Sequence, residues 1–176
     1  MLLADTGVAR NLAGSRYNER RAECARAAAL AGRPLVELEP QDFGDNAPLA
    51  KDPTALRRAR HVAGEHQRVR HAVAALKSGD LQLFGSLMNE SHRSLREDYE
   101  VSCPELDVMA NLLQAMDGVA GAKMTGAGFG GAVVAVVRAD ALGAVEATLP
   151  AAYTAQTGRE ASLLVCEPAA GFSRVA

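Results

Sequence analysis

The chain has 176 residues, 48% hydrophobic, 23% charged and only 4% aromatic, with a formal net charge of −2. That length suits one domain able to bury a core without disulfide staples, and the core must come from Ala, Leu, Val and Met because there is no Trp. The near-neutral balance excludes a nucleic-acid binder or a membrane-surface protein held by bulk basic charge, and no apolar run nears the roughly 20 residues a bilayer needs.

The opening MLLADTGVAR lacks a basic region and a long apolar stretch, so it is not read as a signal peptide. Leu2 to Val8 reads instead as a strand with no evident partner nearby. Ser15 is placed to cap a helix that Gly32 and Pro34 stop. Leu35 to Pro48 is loop-like, rich in Pro, Asp, Asn and Gly. A long helix is predicted from Pro53 to Ser78, with Leu56, Ala59, Ala63, Val69, Val73 and Leu76 on an apolar face and Arg57, Arg58, Arg60, Arg68 and Arg70 on a solvated one. Glu65 is spaced to pair with Arg68.

Ser78-Gly79-Asp80 breaks that helix and caps the next, whose Leu81, Phe84, Leu87, Met88, Ser91 and Leu95 predict antiparallel packing on it. Ser102 and Glu105 have capping-box spacing ahead of a further helix carrying Leu106, Met109, Ala110 and Leu113. Strands are expected over 119–125 and 132–138, then a helix over 140–153 that Pro150 is expected to shorten, then a strand over 159–166 and a surface tail. The fold class is α+β: a small, mostly antiparallel sheet with helices on one face, in one domain over residues 1–176. Cys24, Cys103 and Cys166 have neither disulfide nor metal-ligand spacing and read as reduced thiols in a cytoplasmic protein. His61, His66 and His71 step by five and scatter around their helix, and His92 is expected to pack or hydrogen-bond within the helical layer, so no metal site is expected.

Six glycines fall between Gly118 and Gly131. Gly126, Gly128 and Gly131 form a G-x-G-x-x-G pattern, but a strand follows where a dinucleotide fingerprint requires a helix. A glycine loop between strands lets the backbone take positive φ, approach other groups closely and aim amide N–H groups at an anion. A tight hairpin explains one or two glycines; so many beside Lys123 and Thr125 point to a ligand-proximal loop.

The runs FGSLMNESHRSLREDYEVSCPELDVM and GVAGAKMTGAGFGGAVVAVV resemble the C-terminal half of the galactokinases, members of the GHMP kinases. DTGVAR, the S-x-Y-N-x-R-R run from Ser15 to Arg21 and RRARHVAGEHQRV from Arg57 resemble the same family. The resemblance implies ATP-dependent transfer of the γ-phosphoryl group to the anomeric hydroxyl of galactose, with Mg²⁺ arriving on the phosphates. It implies that Tyr17 hydrogen-bonds the sugar. It implies too that Thr125, Gly126, Ala127, Gly128, Gly130 and Gly131 form the loop beside the phosphates. Lys123, close to that loop, is a candidate phosphate contact by its charge, or faces solvent if strand alternation turns it away. The family's sugar-recognition motif, phosphate loop and catalytic Asp do not occur in these 176 residues, so no catalytic residue is assigned and a complementary N-terminal half is the expected partner. Other GHMP kinases of small molecules, or a non-catalytic sugar- or nucleotide-sensing module, are the alternatives; Y-N-x-R-R and S-C-P-E-L-D favour galactokinase.

Overall fold

The computed structural model describes residues 1–9, 13–45, 47–167 and 169. The expected surface tail beyond Pro168 therefore lies outside the described residues, apart from Ala169. The chain runs β1 (Leu2–Asp5), α1 (Ala13–Ala31), α2 (Pro53–Ser78), α3 (Leu81–Glu97), α4 (Pro104–Ala115), β2 (Val119–Met124), β3 (Ala132–Val137), α5 (Leu142–Thr157) and β4 (Ser162–Val165). The four strands form one sheet in the order β2-β3-β1-β4, and every neighbouring pair is antiparallel. The first strand is shorter than the sequence suggests, and it has two partners at the centre of the sheet, β3 and β4. Those partners lie more than a hundred residues along the chain, where local pattern cannot show them.

Alternation sorts the sheet residues. Leu2, Ala4, Ala122, Met124, Val133 and Ala135 point into a core closed by Leu106, Met109, Ala110 and Leu113 of α4 and by Val145, Leu149 and Tyr153 of α5. Val134, Val136 and Lys123 point the other way, towards α2 and α3, so helices lie on both faces rather than one. A second core cluster joins α1 and α2 through Ala27, Ala55, Ala59 and Ala63. Leu35, Leu38 and Leu49 complete it from the segment read as loop, which is wound into three short 3₁₀ turns.

The helix ends follow capping chemistry. Asp52 accepts from the N–H groups of Thr54 and Ala55, and Asp80 accepts from Leu83 N–H. Gly79 and Gly158 end α2 and α5 in the left-handed conformation. Three expected details differ. α1 begins at Ala13, so Ser15 lies within its first turn rather than ahead of it. Cys103, not Ser102, is the N-cap of α4, because the Ser102 hydroxyl donates to Asp107 instead. And α5 runs through Pro150, held by the buried Leu149 and by Tyr153, whose hydroxyl donates to Thr6 O at 2.9 Å.

The apolar face drawn for α2 divides: Ala59 and Ala63 are buried, while Val69, Val73 and Leu76 are exposed. The arginine face divides too. Arg58 is 1% exposed and so is not part of a solvated face. The Glu65–Arg68 pair forms as spaced, at 2.6 Å. None of the three cysteines is paired, and all are half-buried.

Candidate functional site

The glycines do close, strained work at the β2–β3 turn. Gly126, Gly128, Gly130 and Gly131 all have positive φ. A Cβ on Gly128 would stand 2.1 Å from Val101 O, and one on Gly130 would stand 2.7 Å from Val8 O. Phe129 holds φ +59 without being glycine, tied down by its N–H donating to Val101 O at 2.7 Å. Thr125 N–H donates to Ala132 O and Gly131 N–H to Val8 O, which fastens the loop to the segment after β1. Thr6 donates to Gly131 O through both its N–H and its hydroxyl. The N–H groups of Gly126 and Ala127, both exposed, donate to no acceptor among the described residues. That leaves them free to face an anion.

The start of α1 stands beside this loop. The Arg16 guanidinium lies 5.0 Å over the Phe129 ring. Tyr17, the next residue, is 55% exposed. Arg20, one turn on, donates to Tyr99 O and Glu100 O in the α3–α4 connection and to Glu23 on its own helix. Arg16 thus ties the start of α1 to the loop, and Tyr17 follows it in the helix.

Lys123 lies elsewhere. Its side chain projects from the sheet face opposite the core, donates to Ser91 Oγ at 2.6 Å and lies 3.7 Å from Glu65 Oε2. Burial works against the Glu65 charge, but bonds from Arg68 and Ser91 and the Lys123 ammonium outweigh it and hold the carboxyl below its ordinary pKa. These residues floor one end of a groove of about 360 Å³ whose walls are Val69, Phe84, Leu87, Met88, Val134 and Val136. None of the glycine-loop residues lines it.

The NESH run has functions the sequence reading left open. β2 is an edge strand, and its outward N–H groups at Ala122 and Met124 donate to Asn89 Oδ1 at 2.9 Å and His92 Nδ1 at 3.2 Å. The bond to Nδ1 places the His92 proton on Nε2, which faces Asp107 Oδ1 at 3.3 Å. Gln114 from α4 donates to Ala122 O. His61, on α2, contacts Ser94 Oγ at 3.0 Å and stacks on Tyr99 with centroids 4.4 Å apart. Burial dominates there and pulls its pKa down to about 4.

Residues 72–155 match the family model described as GHMP kinases C terminal. Within that class its relatives are galactokinases. It is 42% identical to the galactokinase of Clostridium acetobutylicum over 99% of this chain, and 43% identical to that of Ligilactobacillus salivarius over 97%. In each case the match covers 46% of the relative, so the chain spans about half the length of these curated relatives. The crystal structure of Lactococcus lactis galactokinase complexed with galactose superposes with a TM-score of 0.87 at 39% identity, covering 93% of this chain and 43% of that one. The crystal structure of L. major mevalonate kinase in complex with R-mevalonate gives a TM-score of 0.57 at 25% identity, covering 86% of this chain and 39% of that one.

Proposed function

We propose that this chain supplies the C-terminal half of a galactokinase, a cytoplasmic enzyme transferring the γ-phosphoryl group of ATP to the anomeric hydroxyl of galactose. The observation that carries the reading is the shared border of α1 and the glycine loop, where Arg16 covers Phe129 beside the exposed Tyr17. One surface then offers a phenol for a sugar hydroxyl and free backbone amides for a phosphate. The amides of Gly126 and Ala127 fit the ATP phosphates in kind, a backbone cradle without a bulky side chain.

Phosphoryl transfer depends on positioning and charge neutralisation. In this reading Tyr17 orients the sugar. Thr125, Gly126, Ala127, Gly128, Gly130 and Gly131 line the sugar–phosphate junction by backbone. A phosphate contact from Lys123 would require its ammonium to give up Ser91 and Glu65. In this reading Mg²⁺ arrives with the ATP phosphates and is held with groups of a complementary N-terminal half.

The test is Tyr17→Phe in this chain mixed with a separately expressed N-terminal half of a galactokinase. The galactose KM should rise by about tenfold, the loss expected of one hydrogen bond to substrate. An unchanged KM removes Tyr17 from the site.

A further inference from the structure

Arg58 is the largest of the fully buried side chains, and it sits on the helix face the sequence marked as solvated. Each of its three guanidinium nitrogens donates a hydrogen bond. Nε donates to Glu23 Oε2 on α1 at 2.7 Å, Nη1 to Asp98 O at 2.6 Å and Nη2 to Glu100 Oε2 at 2.6 Å. Arg20 shares Glu23 and takes the next two carbonyls, Tyr99 O at 2.8 Å and Glu100 O at 3.2 Å. Two guanidinium forks therefore hold the carbonyls of residues 98, 99 and 100 in succession.

The fourth carbonyl in that row belongs to Val101, and it accepts the Phe129 N–H of the glycine loop. It is also the atom a Cβ at Gly128 would strike. Backbone strain brackets the same join: Glu100 has φ +54 and Phe129 has φ +59, neither of them glycine. Such conformations cost about 1–3 kcal/mol each and persist only where the surroundings over-determine them. The forks supply that constraint on one side and the Val101–Phe129 bond supplies it on the other.

We infer that Arg58 is a positioning residue for the glycine loop, acting through the clamped backbone of residues 98–101 and the Val101–Phe129 hydrogen bond. Planar bidentate geometry is what the clamp uses, so lysine cannot replace it: an ammonium reaches one acceptor well where the fork reaches three in fixed directions. The inference rests on the proposed function only for what the loop does, not for where it sits.

The experiment compares Arg58→Lys with the unaltered chain by amide exchange and ¹⁵N NMR, no ligand added. Phe129 N–H should exchange at least tenfold faster relative to the amides of β3, and its proton resonance should shift upfield as the 2.7 Å bond lengthens. Arg26→Lys, which loosens the exposed pair with Asp52, should leave both readings unchanged. Should Arg58→Lys fail to fold, Glu100→Gln keeps the fork and weakens one contact, and a smaller change confined to Phe129 is expected. Unchanged Phe129 readings, or exchange rising evenly across the sheet with overall stability, would overturn the inference. Mixed with an N-terminal half, Arg58→Lys should lower kcat about tenfold while the galactose KM stays within twofold. A loop that moves without this kinetic effect would count against the phosphate reading of the loop and leave the clamp standing.

Discussion

At the scale of single residues, the absence of Cβ atoms and the burial of two polar groups determine most of what is distinctive. Gly85 and Gly121 let α3 touch β2 backbone to backbone; a Cβ on Gly85 would stand 1.8 Å from Ala120 O. Gly85→Ala should therefore destabilise the fold by about 3 kcal/mol, the upper range for overpacking, seen as a lower urea midpoint with unchanged slope. A variant within about 0.5 kcal/mol of the parent would mean that the helix can move away freely. His61 gives a pH signature. Its folded pKa of about 4 lies below its ordinary value, so between these pH values the unfolded chain binds a proton that the folded chain refuses. Stability is thus lost as pH falls from about 6.5 to 4, on the order of 3 kcal/mol at about 1.4 kcal/mol per pKa unit. Glu65 and Glu100, whose pKa values are lowered, add a further loss as pH falls below the ordinary carboxylate range. Thermal melts of His61→Asn should show a flatter slope above pH 4; an identical slope would assign the acid limb to carboxylates alone. The glycine run was legible as a backbone device from its composition. Arg58 was not, because its partners Glu23, Asp98 and Glu100 are far along the chain and only the fold brings them to one guanidinium.

At the scale of elements, the helices were readable and the sheet's closure was not. Punctuation such as Asp52-Pro53 and Ser78-Gly79-Asp80 states local chemistry, and α2 and α3 begin where it falls. Pro150 misled because tertiary anchoring of Leu149 and Tyr153 outweighs one missing N–H. Tyr153→Phe should cost about 1 kcal/mol by removing the bond to Thr6 O, measurable as a lower melting temperature. The edge of β2 is sealed by side chains of α3, which no period-2 pattern reveals. Asn89→Leu leaves the Ala122 N–H without its acceptor, at an expected cost of about 1–3 kcal/mol with faster exchange at that amide. Retained protection at Ala122 would show that the strand edge is closed by something other than Asn89.

At the scale of the whole molecule, the distribution of apolar surface is uneven. Val69, Val73, Leu76, Leu81, Leu83, Leu164 and Val165 are all exposed, and Val69 among them lines the groove between the sheet, α2 and α3. Exposed apolar residues that lie together mark a contact surface. The lone chain should bind a hydrophobic dye and self-associate in light scattering; a dye-silent monomer would argue that these residues are merely scattered. The glycine loop and Tyr17 stand on a different part of the surface, because no loop residue lines the groove. The most direct test of the proposed function is NMR mapping of galactose and MgATP on the ¹⁵N-labelled chain mixed with an unlabelled galactokinase N-terminal half. The account predicts shifts concentrated at Tyr17 and at Thr125 to Gly131, together with formation of galactose 1-phosphate. Shifts confined to the α2–α3 groove, with the loop unmoved, would contradict it.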